Sequence, residues 1–95
     1  MPAVTRLGDR CTGHGAFGAR ENDSAASTVY ANNIAVHRSG DHWVTHCDST
    51  PTCHDSTTSG GSDTVWVENR KIARIGDHVA CGSSIAQGSG NVFAG

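Results

Sequence analysis

Metal-binding residue types are concentrated in this chain of 95 residues, which contains six histidines and four cysteines. Three of them follow a Gly-Asp pair after four or five residues: His14, His46 and Cys81. Imidazole nitrogen and thiolate sulfur are the donors that tetrahedral zinc prefers. If the three Gly-Asp pairs are equivalent by internal symmetry, the three donors converge at one height. The spacing therefore predicts a metal site.

A tetrahedral site needs a fourth donor. The irregular stretch that follows His46 offers three, namely Cys47, Cys53 and His54. We choose His54, because a loop that returns past Pro51 can bring its far end back beside His46. The predicted ligand set is therefore His14, His46, His54 and Cys81.

The remaining histidines and cysteines are interpreted as structural. His37, His42 and His78 lie within or next to repeated strand and turn segments, so we do not expect them to bind metal. Cys47 and Cys53 are expected to be free thiols, because the chain has no secretion signal and disulfides are rare in the cytosol. A bridge between them is the main alternative. Cys11 lies three residues before His14, a spacing that resembles half of a short metal-binding motif.

Two short phrases each occur three times in the chain. The first phrase is a β-branched residue followed by x-Arg-x-Gly-Asp, and it begins at Val4, Val36 and Ile72. The second phrase is a valine followed by an aromatic residue: Val29-Tyr30, Val65-Trp66 and Val92-Phe93. Runs of this kind bounded by Gly, Asn and Asp predict strands, and no helical periodicity is sustained. In two places a short polar turn connects an aromatic phrase to the Arg-x-Gly-Asp phrase that follows it, which predicts two complete hairpins.

The chain ends supply the two halves of a third hairpin. The last aromatic phrase closes the chain and the first Arg-x-Gly-Asp phrase opens it. We therefore predict that the two terminal strands pair, giving one all-β domain over residues 1–95 with pseudo-threefold symmetry and both termini at the same end. Residues 13–27 and 48–62 are predicted to be loops. The equivalent aromatic residues Tyr30, Trp66 and Phe93 are expected in the shared core or just outside it.

Composition excludes several functional classes. The net charge is −2 and the seven basic residues are spread along the chain, so neither a nucleic-acid footprint nor an anionic-membrane patch is indicated. The N-terminus lacks the charged and apolar regions of a signal peptide, so synthesis in the cytoplasm is expected. Because large apolar residues are few for a chain of this length, a bound metal would help to stabilise the fold.

The motifs resemble those of the PAAR-repeat proteins over essentially the whole chain. The resemblance rests on the three Arg-x-Gly-Asp phrases, the glycine-rich ending that leads to Phe93, and the loop that begins His46-Cys47 and ends Cys53-His54. The family name describes a Pro-Ala-Ala-Arg stretch. Its counterparts here cover residues 3–6, 35–38 and 71–74, and only the arginine is retained in all three.

This resemblance implies a non-enzymatic tip for the spike of a contractile injection machine, either a type VI secretion system or a related phage tail. Such a tip is a small β cone with the termini at its broad base, one copy of which caps a trimeric β-helical spike protein, VgrG in secretion systems. It is carried outward to the target envelope, which it helps to pierce with transient membrane contact. Effector cargo can travel as extensions of longer members, whereas this chain is expected to be the tip alone.

The resemblance also implies a structural zinc near the apex of the cone, with iron or another transition metal as the alternative. Its three histidines and one cysteine correspond by position to His14, His46, His54 and Cys81. Two other functions are compatible with the residue types. One is a zinc-dependent hydrolase or nuclease, whose metal would keep a position open for water. The other is a small binding module stapled by disulfides.

Overall fold

A computed structural model describes residues 1–15, 17–47 and 52–95. As predicted, the protein is all-β, and no helix occurs in these ranges. The strands are β1 (Tyr30–Ala31), β2 (Ile34–Ala35), β3 (His42–Cys47), β4 (Cys53–Thr57), β5 (Trp66–Val67) and β6 (Arg70–Lys71). They form three antiparallel pairs, β1–β2, β3–β4 and β5–β6. Within the described ranges there is thus no helix that could cross a membrane.

Tight two-residue turns close the two hairpins that the repeats predict. Asn32 and Asn33 connect β1 to β2, and Glu68 and Asn69 connect β5 to β6; all four have φ between 52° and 67°. Positive φ at both central residues defines a type I′ turn, whose twist matches that of the flanking strands. Asparagine tolerates this conformation better than most residues, which explains why three of the four positions are Asn.

The chain termini complete the third hairpin, as predicted. The Val4 amide donates to the Val92 carbonyl at 2.9 Å, and the Ala94 amide donates to the Pro2 carbonyl at 3.0 Å. The first of these bonds has counterparts in the other repeats, where Val36 donates to Val29 at 3.1 Å and Ile72 donates to Val65 at 3.0 Å. The N- and C-terminal segments therefore pair like the two strands of a continuous hairpin.

A closed ring of backbone hydrogen bonds establishes the pseudo-threefold symmetry. The amide of Thr5 donates to the carbonyl of Ala73, Ala73 donates to His37, and His37 donates back to Thr5, at 3.0, 3.0 and 2.9 Å. All three residues are buried. Because the last bond returns to the first residue, this ring has no unpaired edge.

Two buried clusters flank this ring. The first contains one set of equivalent β-branched residues (Val4, Val36, Ile72), a second set from the hairpins (Ala31, Val67, Ala94), and Ala26. The second cluster contains Cys11, Trp43, Ala73, Val79 and Ile85. The molecule measures 39 by 23 by 22 Å along its principal axes, so it is elongated with two nearly equal widths. Its conical taper stays a prediction.

The three equivalent aromatic residues are exposed rather than part of the core. Tyr30, Trp66 and Phe93 are 60, 56 and 50% exposed. Of the two positions that were expected, the structure excludes the shared core and supports the one just outside it. The reason is the two-residue period of a strand: the next residue in each hairpin, such as Ala31, points inward and takes the core position.

One predicted loop contains a strand. Residues 53–57 form β4, which pairs with β3, whereas residues 48–62 were all expected to be irregular. The polar composition hid this strand, because its residues alternate between exposed and half-buried positions without a buried apolar side chain. The other predicted loop, residues 13–27, forms no regular strand or helix where the structure describes it.

The Gly-Asp pairs are turns in which an aspartate binds the arginine three residues before it. In each repeat the carboxylate accepts hydrogen bonds from the backbone amide and the Nε of that arginine: Arg6 to Asp9, Arg38 to Asp41, and Arg74 to Asp77. The preceding glycines have φ of 88°, 86° and 92°, a region that glycine enters without steric cost. Arg-x-Gly-Asp is therefore a turn motif.

The three turns provide a matched set of variants. The Asp41 side chain is 1% exposed, against 13% for Asp9 and 12% for Asp77, and it also accepts bonds from Ser24 and Arg70. Removing one partner of a buried ion pair costs about 3–5 kcal/mol. We expect Asp41→Asn to lower the free energy of unfolding by about that much, and Asp9→Asn and Asp77→Asn by about 1 kcal/mol each. Urea unfolding measures this, and equal losses in the three variants would contradict it.

Candidate metal centre

The four predicted donors lie together in the structure. One ligand atom from each of His14, His46, His54 and Cys81 lies within 4.8 Å of all the others. The Nε2 atom of His54 is 3.1 Å from that of His14 and 2.6 Å from that of His46. Three imidazole nitrogens and one sulfur this close together match the donor set of a closed tetrahedral site. The residues present therefore fit a transition-metal ion.

Strand pairing brings two of the histidines together. His46 in β3 and His54 in β4 are directly opposed, and the next opposed pair is Cys47 and Cys53, whose Cα atoms are 4.1 Å apart. The structure joins these cysteines in a disulfide, so the expectation of two free thiols is wrong. That expectation was based on the cellular compartment alone, whereas the pairing of β3 with β4 places the two cysteines directly opposite each other. The predicted path past Pro51 falls outside the described residues.

The disulfide also bears on the metal centre. A shift of strand register by one residue would move every side chain of β4 to the opposite face. The bridge between Cys47 and Cys53 prevents such a shift one residue away from the His46–His54 pair. It therefore fixes the pairing on which two of the four donors depend.

The ring of His46 is oriented for metal binding. Its Nδ1 donates to the carbonyl of Gly18 at 2.9 Å, which leaves Nε2 free of a proton and directed into the cluster. Burial lowers the pKa of His46, and the positive charge of Arg20 lowers it further. Both effects favour the neutral imidazole, the form that binds a metal.

The thiol of Cys81 is surrounded by hydrogen-bond donors. Its Sγ accepts a bond from a guanidinium NH of Arg20 at 3.4 Å and contacts the hydroxyl of Ser83 at 3.7 Å. Burial alone would raise the pKa of Cys81, but the bonds from Ser83 and Arg20 outweigh it and bring the pKa below its ordinary value. A lowered pKa favours the thiolate, which is the metal-binding form.

An aromatic ring covers the three imidazoles. The centroid of Phe17 lies 4.9 Å from those of His14 and His46 and 4.2 Å from that of His54. His14 and Phe17 exchange two backbone hydrogen bonds of 2.9 and 2.8 Å, which close the turn that presents both rings. A Cβ on Gly13 would lie 2.5 Å from the Phe17 carbonyl oxygen. Glycine is therefore required at that position for this turn to form.

Sequence reasoning missed two residues of the centre, Phe17 and Arg20. Neither belongs to a repeated phrase, so the overlay of repeats could not identify them. A weak signal exists for Phe17, the only large apolar residue between His14 and Val29. No pattern in the sequence pointed to Arg20.

The three histidines expected to be structural lie outside the cluster. His37 is buried and its ring bonds the Ser24 carbonyl at 2.9 Å and the Thr58 hydroxyl at 2.7 Å. His42 lies between two carboxylates, and His78 is exposed. None of the three is among the residues gathered around the candidate metal position.

The structure thus combines a closed pseudo-threefold β fold with a cluster of one sulfur and three nitrogen donors that could hold a metal ion. Comparison with protein families identifies it further: the PAAR motif matches residues 21–87, more than half of the chain. The protein belongs to the PAAR family, whose motif is associated with the spike tips of type VI secretion systems. The matched region contains His46, His54 and Cys81, and His14 precedes it. No curated protein matches the chain.

Loss of one ligand should affect metal content and stability together. We expect His54→Ala and Cys81→Ala to lower the bound metal well below one equivalent and to lower the thermal midpoint, because structural metal binding contributes directly to folding. His78→Ala, which changes an exposed histidine outside the cluster, is the control. Metal analysis and thermal unfolding measure the two effects. Full metal content at the wild-type midpoint in both ligand variants would disprove the site.

A separate pH dependence is expected from His42. Hydrogen bonds to Asp55 and Asp23, at 2.8 and 2.6 Å, raise the pKa of His42 above its unfolded value near 6.5. A raised pKa stabilises the fold fully below the unfolded value, and this contribution disappears as the pH rises through the folded pKa. His42→Gln should thus be less stable than wild type below about pH 6.5 and equal to it at high pH.

The difference should be small, since the side chains of His42, Asp23 and Asp55 are all at least 40% exposed and exposed ion pairs contribute little. Thermal unfolding of both metal-loaded proteins across this pH range measures it, with His78→Gln as the control. A constant difference at all pH values would contradict the assignment.

Proposed function

We propose that this protein is a non-enzymatic spike tip of a contractile injection machine. Membership of the PAAR family is the observation that carries the proposal. The pseudo-threefold arrangement of the chain and its exposed aromatic residues give it a physical basis. The tip would be made in the cytoplasm, assembled on its spike, and delivered outward to the target envelope.

The hairpin face is the surface best suited to a spike partner. We define this face as Tyr30, Trp66 and Phe93, with the turns that close the hairpins of Tyr30 and Trp66. Large exposed apolar side chains in symmetric positions mark an interaction surface, and aromatic residues supply most of the energy in such surfaces. A monomer with internal threefold symmetry suits a partner with true threefold symmetry. The proposed partner is a trimeric VgrG-like spike protein that binds one copy per trimer.

The metal centre would give the tip its rigidity. Zinc is the proposed ion, because a set of three histidines and one cysteine is typical of its tetrahedral sites. Binding of structural zinc contributes about 10–16 kcal/mol in small domains, which is large beside the net stability of a domain of this size. Four protein donors leave no position for a catalytic water, and this favours the structural role over the alternative of a hydrolase or nuclease.

The second cluster packs against Cys81 of the candidate metal centre, and its largest side chain is Trp43. A narrow end cannot hold a large apolar core, so a metal stabilises it more effectively than additional packing would. This arrangement suits a part of the protein that bears force during entry into an envelope. Envelope piercing and any effector cargo remain parts of the proposal.

Binding to a trimeric β-helical spike protein tests the proposal. Native mass spectrometry should show one copy of this protein per trimer. Trp66→Ala should weaken binding at least about 30-fold, the equivalent of 2 kcal/mol for an aromatic hot spot. Leu7→Ala is the matched control, because Leu7 is also an exposed apolar residue, at 44%, but lies in a Gly-Asp turn. Three copies per trimer, or equal effects of the two variants, would contradict the proposed mode of docking.

A further inference from the structure

Arg20 is a buried arginine beside the metal centre. It is 4% exposed, its guanidinium lies 5.4 Å above the ring of Trp43, and its Nε donates to the Val44 carbonyl at 2.8 Å. These contacts fix both the position and the plane of the guanidinium. Its two terminal nitrogens are therefore held in one orientation.

Each terminal nitrogen donates to a different cysteine. One NH2 group is 3.0 Å from the Sγ of Cys11, and the other is 3.4 Å from the Sγ of Cys81. Over residues 1–15, 17–47 and 52–95, no carboxylate forms an ion pair with this guanidinium. A charged guanidinium this deeply buried requires acceptors of high electron density. The two sulfurs supply them.

The two sulfurs are placed differently. Cys11 is 2% exposed and belongs to the second core cluster, two residues after its Gly-Asp pair, at the position that Trp43 and Val79 hold in the other repeats. Its sulfur also accepts the backbone amide of Arg20 at 3.5 Å. Cys81 receives a single, longer bond from Arg20 and lies among the histidine nitrogens. The sulfur of Cys81, unlike that of Cys11, is one of the four ligand atoms gathered around the candidate metal position.

We propose that Arg20 is a positioning residue of the metal centre, whose planar fork orients the sulfur of Cys81 toward the three imidazoles and holds Cys11 out of the ligand set. This inference rests on the metal site of the proposed function. Partners of this kind orient a ligand and adjust the electron density it gives to the metal. Two rigid parallel donors are a property of arginine that lysine lacks.

Cobalt binding to the full chain tests the role of Arg20, because a thiolate bound to Co2+ gives a charge-transfer band in the near ultraviolet. Arg20→Met should move this band to lower energy, since a sulfur without a donor gives more electron density to the metal. Affinity for Co2+ should fall about 10- to 100-fold. Arg20→Lys, which retains the charge without the fork, should shift the band in the same direction.

Arg10→Met is the matched control. Arg10 directly precedes Cys11 in the chain and is exposed. Its guanidinium donates to the carbonyl of Ala19 and not to a sulfur. This variant removes one positive charge and should leave the band unchanged. Equal shifts in the two Met variants, or no shift in Arg20→Met, would overturn the proposal. A higher Co2+ affinity in Arg20→Met would also overturn it, because charge repulsion would then outweigh positioning.

A second measurement examines the choice between the two sulfurs. Cys81→Ser should abolish the thiolate band while Arg20 holds Cys11 back. In the double variant Arg20→Met/Cys81→Ser the band should return through Cys11, and the further change Cys11→Ser should remove it again. A double variant without the band would overturn the selection of Cys81 by Arg20. If wild type itself bound Co2+ without a thiolate band, the metal site of the proposed function would be wrong, which is a distinguishable result.

Discussion

The cyclic set of hydrogen bonds among Thr5, His37 and Ala73 is the constraint on which the rest of the structure depends. It brings three segments that are distant in sequence around one axis. Once they are there, the β-branched residues next to them meet in the first core cluster, and the residues after each Gly-Asp turn meet in the second. The convergence of the metal ligands is a further consequence of the same symmetry.

The pseudo-threefold symmetry is least regular at the candidate metal centre. Two of the repeats contribute a histidine after the Gly-Asp turn and the third contributes Cys81, and the fourth donor comes from the additional strand β4. Among the residues that the structure describes, the disulfide, the ring of Phe17 and the guanidinium of Arg20 have no equivalents in the other repeats. A symmetric scaffold thus supports an asymmetric site, because a closed tetrahedral site needs a fourth protein donor that threefold symmetry does not supply.

Much of the fold could be predicted because the repeated phrases are local. A hairpin turn and an Arg-x-Gly-Asp turn each form within a few residues, so their sequence signals are short and complete. The overlay of repeats then placed His14, His46 and Cys81 together. The disulfide and β4 depend on contacts across a hairpin of polar residues, where no periodicity reveals the pairing. Arg20 illustrates the same limit, since its role comes from the neighbours that the fold brings to it.

The third hairpin has no peptide bond where the other two have a turn. Its two strands pair at Ala3 and Phe93 and come from opposite ends of the chain. They therefore pair like two separate molecules, which the folded residues between them keep at a high effective concentration. Contacts so distant in sequence carry the largest loop-closure entropy in the protein. This hairpin should therefore be the last of the three to form during folding and the first to open by local unfolding.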